Sequence, residues 1–234
     1  MIFLRRTFIA FGTAAILILM GCAGEPTIQT GEDAEVLMGN LNRVDNARSG
    51  LAYVDPEADY ARYQRVLIQP LNLDNVEIVQ PSSSGTLNRY NREWELTDSD
   101  KAALQSAYLE VMTREISEKG EFAIADTNGD DVLIISAMIT RIAPSAPKED
   151  MASRSSARGR VYTDGAGSIS IAIAFMDGDS GEIVALIKDA RRGDHNIWGI
   201  NNSVTNMAEV RRAFGSWAMR INDGLLALKS RDEG

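Results

Sequence analysis

The sequence predicts an α+β fold: a two-layer sandwich in which a mainly antiparallel sheet carries two helices packed on one face. Three observations predict it. Two segments place apolar residues at steps of three and four, several others alternate or run apolar with Ile and Val, and their order along the chain is strand, helix, several strands, helix. Setting both helices on one face of an antiparallel sheet buries both apolar surfaces in two layers.

The first strand is Arg65-Val66-Leu67-Ile68-Gln69-Pro70-Leu71, with Pro70, which has no N–H to give, near its end or at a sheet edge. Residues 80–94 are polar and read as a loop. Thr97-Asp98-Ser99-Asp100 then starts a helix: Thr97 is the N-cap, and acids in the first turn suit the helix dipole. Leu104, Ala107, Tyr108, Val111, Met112 and Ile116 form its apolar face. Glu110 with Arg114 and Glu115 with Lys119 are spaced as i,i+4 pairs, and Gly120 ends it.

Phe122-Ala123-Ile124-Ala125 leads through the turn Thr127-Asn128-Gly129-Asp130 to an apolar run over residues 132–142. Residues 167–175 give the cleanest alternation in the chain. Ile169, Ile171, Ile173 and Phe175 point to one side, and Ser168, Ser170, Ala172 and Ala174 to the other. Asp177-Gly178-Asp179-Ser180-Gly181 turns this strand, and residues 182–189 return as the second arm of an antiparallel hairpin. The small-residue side leaves room for close packing or for a partner. Asn206 with Glu209 makes a capping-box pattern for a final helix. Its stripe of Met207, Val210, Phe214, Trp217, Ile221, Leu225 and Leu228 reads as core packed on the sheet rather than as a cofactor groove.

Ahead of all this, Arg5-Arg6 precede an unbroken apolar run over residues 8–20, followed by Gly21 and the only cysteine, Cys22. A charged start, a short apolar run and a small residue at the cut are the layout of a secretory signal; about 20 residues would be needed for a helix to cross a bilayer. Leu19-Met20-Gly21-Cys22 resembles the bacterial lipobox, with Met20 where Ala or Ser is usual. The resemblance implies cleavage between Gly21 and Cys22 and a diacylglyceryl group on the Cys22 sulfur. Two or three acyl chains make stable attachment, since each buried methylene contributes about 0.8 kcal/mol. The covalent lipid on Cys22 is the only attached group expected, with no cofactor. It leaves no thiol for an internal disulfide. Arg5-Arg6-Thr7-Phe8-Ile9 only partly matches a twin-arginine signal, so general secretion is expected. Ala23, rather than the Asp that retains such proteins at an inner membrane, implies an outer membrane with the domain facing the periplasm.

The expected organisation is therefore a signal peptide over 1–21, a lipidated cysteine and flexible tether over 22–49, and a single α/β domain over 50–230. The tether expectation comes from residues 23–46, which are rich in Gly, Asn and acids and lack a helical or strand period over most of their length. The 33 acidic against 24 basic side chains give a net charge of −9, and removing 1–21 takes away two cations and no acid. Such a surface repels nucleic acid and anionic headgroups.

Five stretches stand out together: Gly50-Leu51-Ala52-Tyr53, the strand over 63–70, the hairpin over 175–185, the basic exit Asp189-Ala190-Arg191-Arg192-Gly193, and Phe214-Gly215-Ser216-Trp217-Ala218. In these the chain resembles the bacterial lipoprotein family catalogued as domain of unknown function 3313. The resemblance implies fold and address, and lends no catalytic residues.

Candidate chemistry is sparse. A hydrolase needs a nucleophile, an orienting base and an oxyanion hole; the chain has one histidine, His195 in Arg192-Gly193-Asp194-His195-Asn196, and no G-x-S-x-G elbow. Asp177, Asp179 and Glu182 resemble the opening of a calcium loop but lack the remaining ligands, and Gly178 and Gly181 explain them as a turn. No metal site is therefore expected. Residues 143–165 hold Lys148, Arg154, Arg158 and Arg160 among Ser, Ala and Pro. A loop that long is either functional or disordered, and it is the segment suited to an anionic envelope partner. These readings make the protein a non-catalytic envelope lipoprotein that binds another envelope component. A module for a small amphiphile or glycan is the alternative, and a hydrolase at His195 the second.

Overall fold

The computed structural model describes residues 24–80, 94–144, 167–192 and 203–232. Among them the elements run β1 (Thr27–Ile28), β2 (Val36–Leu37), β3 (Leu41–Asp45), β4 (Leu51–Val54), β5 (Arg65–Ile68), β6 (Glu77–Ile78), α1 (Asp98–Thr113), β7 (Ala123–Ile124), β8 (Val132–Ala143), β9 (Ser168–Asp177), β10 (Ile183–Arg192) and α2 (Ser203–Asp232). The strands make one sheet in the order β1-β3-β4-β10-β9-β8-β5-β7, with β2 beside β3 and β6 beside β8. The fold is α+β, as the patterning predicts.

The centre of the sheet is antiparallel, with β9 between β8 and β10 in the register Ile173 opposite Ala137 and Ile187. At one side β5 lies parallel to both β8 and β7. Parallel neighbours need a crossover rather than a tight turn, and the segment between β5 and β7 contains α1. The sheet is thus mixed.

The alternation of β9 is realised in full. Ile169, Ile171, Ile173 and Phe175 are buried and share one core with Leu104, Tyr108 and Val111 of α1 and with Phe214, Trp217, Ile221 and Leu225 of α2. Ser168, Ser170, Ala172, Ala174 and Met176 on the other side are half-buried and lie outside that core. Tyr108 meets Phe214 edge-on at 5.6 Å, which joins the two helices.

The start of α1 carries a full capping box: Thr97 Oγ1 accepts from the Asp100 amide, and Asp100 accepts from the Thr97 amide. Its far end widens instead. Arg114–Glu118 is π-helical, and a Cβ on Gly120 would lie 2.2 Å from the Ile116 carbonyl oxygen, so glycine is required there by close approach. Of the two i,i+4 pairs, Glu115 with Lys119 forms at 2.9 Å. Glu110 instead meets Arg211 of α2 at 3.2 Å, and Arg114 turns to Glu115. α2 begins at Ser203, so Asn206 lies within the helix rather than at its cap.

The tether expectation over 22–49 fails for the residues described. β1, β2 and β3 are hydrogen-bonded into the sheet, Leu41 is fully buried, and Glu35 receives both the Tyr53 hydroxyl and the Arg43 guanidinium. Strands of two to five residues are too short for a period to show. They are separated by backbone in the left-handed region at Gly31, Met38 and Gly39, and they pair with one another and with β4. Among the described residues no helix is long and apolar enough to cross a membrane.

Candidate binding cleft

β10 is longer than its sequence pattern predicts, and its last residues build the site. The inward column of this strand runs Ala185, Ile187, Asp189, Arg191, paired in turn with Phe175, Ile173, Ile171 and Ile169 of β9. The first two are ordinary core. The last two put charge on the helix-facing side of the sheet, which the sequence reading treats only as a basic exit.

Asp189 is held from several directions. Its carboxylate accepts from Trp217 Nε1 at 2.9 Å and from the Gly50 amide at 3.0 Å. Arg191 Nε lies 3.3 Å away and Arg220 Nη1 4.0 Å away. Arg220 also donates to the Arg48 carbonyl, and Arg48 pairs with Asp223 at 3.5 Å. Burial, and after it the neighbouring Arg191, hold the Arg220 guanidinium below its usual range. The patch carries three arginines against two acids in an otherwise acidic chain.

Arg191 extends from this patch into a cleft of about 380 Å³. Leu104 of α1 and Leu96 before it form one wall, and Met207, Val210 and Ala213 of α2 form another. The floor is the end of the sheet, with Ile142, Ala143 and Ile169. Polar groups stand at its margin: Asp100, Glu209, Arg191, Arg192 and Arg212. Glu209 and Arg212 pair with one another, and Asp100 serves the cap of α1. Nε and Nη2 of Arg191 are out of contact with water and have no hydrogen-bond acceptor among the described residues. A volume in this range, mostly apolar with a few convergent polar groups, is what small-molecule sites share.

The residues singled out from sequence fall elsewhere. Gly21, Cys22, Lys148, Arg154, Arg158, Arg160 and His195 lie outside the described residues. Asp177 is buried, and its oxygens are taken by protein donors: the Tyr63 hydroxyl at 2.8 Å, the Arg62 guanidinium, and the amides of Asp179 and Ser180. Asp179 and Glu182 are exposed, and Gly181 has φ +75°. The geometry is that of a hairpin turn pinned to Tyr63. Arg191 could have been found from the β9 alternation: continuing its register across the hairpin places an arginine opposite Ile169 on the buried side.

The family model described as a protein of unknown function, DUF3313, matches residues 37–221. The chain belongs to the DUF3313 family. No curated protein matches this DUF3313 chain. Among solved structures it is similar to the PelC dodecamer from Paraburkholderia phytofirmans, at 10% identity over 70% of this chain and 91% of that one, with a TM-score of 0.36. It is also similar to protein XCC0632 from Xanthomonas campestris, of family DUF330, at 10% identity over 73% and 90% of the two chains, with a TM-score of 0.42. A third is a putative neuraminyllactose-binding hemagglutinin homolog from Helicobacter pylori, at 9% identity, 76% and 92% coverage, and a TM-score of 0.40. At such identities and scores these likenesses lend the DUF3313 chain no ligand and no activity.

Proposed function

We propose that this DUF3313 protein is a non-catalytic module of the cell envelope, held to the periplasmic side of an outer membrane by lipid on Cys22, and that it works by binding another envelope protein. In this reading the molecule is a two-layer sandwich. The helices cover the isoleucine face of the sheet, and the opposite face is the docking surface. One observation carries it: Ala172 and Ala174 of β9, with Ser136 and Met138 of β8 and Leu186 of β10 beside them, are half-exposed and belong to no helix-packed core. Small side chains on a sheet let a partner backbone approach closely, and contiguous apolar surface of this kind marks interaction sites. The address rests on the lipobox-like sequence alone.

A photo-crosslinker placed at Ala172 or Ala174 in intact cells should give one discrete adduct, and the same group at the exposed Leu109 of α1 none. The same faint ladder from all three positions would refute the docking face. Intact-mass analysis of the chain purified from membranes should show an amino terminus at Cys22 carrying acyl groups. An unmodified amino terminus would refute the anchor.

The cleft favours a second reading, a module that holds a small amphiphile between sheet and helices. It does not compete with the first, because the two surfaces lie on opposite sides of the sheet.

A further inference from the structure

Exposed large apolar side chains are sparse among the described residues. Leu109, Ile124 and Met219 stand singly, as such residues do on any protein surface, whereas Val36, Leu37 and Met38 are consecutive. They form β2 and the start of its turn into β3, and Met38 is 65% exposed. Its backbone is left-handed, at φ 56°, a conformation that turns usually give to Gly, Asn or Asp. The tip is held firmly. Leu37 pairs with Leu41, and Asn40 Nδ2 donates to the Asp55 carboxylate at 2.8 Å.

This tip shares an edge of the sheet with the entry of the chain. In an antiparallel strand the N–H and C=O of one residue serve the same neighbour. On β3 the Arg43 amide donates to the Glu35 carbonyl, and the Arg43 carbonyl accepts from the Gln29 amide. β1 and β2 therefore lie end to end along the side of β3 away from β4. Thr27 of β1 comes five residues after Cys22, so a lipid on Cys22 would bring this edge, and the tip with it, to a bilayer surface.

The side chains themselves argue for lipid over a second strand. Val36 and Leu37 project to opposite faces of β2. A strand added to its open side would satisfy backbone groups and leave both faces bare. A fluid interface that closes around a protrusion covers all three residues. Glu32, Asp33 and Glu35 are exposed beside them, so that interface must carry little negative charge.

We infer that Val36, Leu37 and Met38 dip into the headgroup region of a zwitterionic bilayer as a second membrane contact beside Cys22. This rests on the proposed lipid anchor and adds an orientation: one tether leaves a domain free to turn, and a second contact does not.

The experiment uses the full chain purified from membranes, with Met38→Cys carrying an environment-sensitive fluorophore, reconstituted into phosphatidylcholine vesicles. Leu109→Cys on α1 is the control, and thermal melts matching the parent verify the fold of both. The Met38 label should shift to the blue and be quenched by shallow doxyl lipids about threefold more than the Leu109 label. Replacing part of the phosphatidylcholine by phosphatidylglycerol should weaken the effect. A Met38 label as water-like as the Leu109 label, on vesicle-bound protein whose native sequence takes up no fluorophore, would overturn the inference and leave the anchor standing. Labelling of the native sequence would reveal a free Cys22 thiol and overturn both. A blue shift that lipid quenchers do not reach, and that fades as the protein is diluted per vesicle, would place the tip against a second copy and overturn the lipid contact.

Discussion

Trp217 donates its indole N–H to Asp189 across 2.9 Å, joining the middle of α2 to β10 where the inward side of that strand passes from aliphatic to charged. Trp217 is 3% exposed, so water does not compete for the bond. Trp217→Phe removes a donor from a carboxylate and leaves part of the ring volume empty. It should cost about 2 to 3 kcal/mol by urea denaturation. A double-mutant cycle with Asp189→Ala should show coupling of about 1 kcal/mol or more. Strict additivity would mean that the contact contributes nothing to stability.

Two buried tyrosines should respond in opposite ways to loss of the hydroxyl. Tyr60 donates to the Val184 carbonyl at 2.5 Å, whereas the Tyr108 hydroxyl has no partner among the described residues. Tyr60→Phe should lower stability by about 1 kcal/mol, and Tyr108→Phe should raise it by a similar amount, because an unmatched buried hydroxyl is itself a cost. Thermal melts of the two variants decide it; a loss in both would show that Tyr108 has an acceptor in solution.

Gly224 within α2 and Gly120 just past the end of α1 make a second contrasting pair. Around Gly224 nothing lies within 4 Å of an added Cβ, so Gly224→Ala should stabilise α2 by about 1 kcal/mol through helix propensity alone. At Gly120 the same Cβ would meet the Ile116 carbonyl and the Asn222 side chain at 2.2 and 2.3 Å, so Gly120→Ala should lower the melting temperature. A neutral Gly120→Ala would mean that the π-helical end of α1 rearranges freely.

Acid should loosen the end of β5. The hydrogen bond from Arg65, with Nε 2.8 Å from Oδ2, holds the Asp131 carboxyl below its ordinary value. For a depressed acid the contribution to stability is complete above the unfolded carboxylate value, about 3.9, and is lost as pH falls through the lower folded value. Melting temperature should therefore drop on acidification below about pH 4, and Asp131→Asn should lower the neutral plateau and flatten that limb, the two proteins converging in acid. An acid limb of the same slope in both proteins would exclude this pair.

Local chemistry made the helices and the long strands legible. Thr97 with Asp100 announced α1, the Ile alternation announced β9, and the Asp-Gly turn announced the β9–β10 hairpin, since each signal lies within its own element. The parallel placement of β5 between β7 and β8 left no local trace, because it depends on contacts between residues far apart in the chain. The strands between Thr27 and Asp45 were hidden by their brevity. The cleft was hidden for a related reason: Leu104, Ile169, Arg191 and Val210 come from four elements, and each reads as ordinary core or ordinary charge when taken alone. Conversely, the turn reading of Asp177 is legible in its own Asp-Gly segment, whereas its bond to the Tyr63 hydroxyl, distant in sequence, is not.

β1 is the edge of the sheet, and its first residue, Thr27, already pairs with Asp45. Only five peptide steps separate it from Cys22, a leash that reaches at most about 18 Å when fully stretched. With the lipid proposed for Cys22 in place, a globule on so short a lead would ride low over the headgroups with its β1 margin downward and its β7 margin turned away. It would then patrol the skin of the bilayer rather than the depth of the compartment, and whatever it met would have to come down to that level.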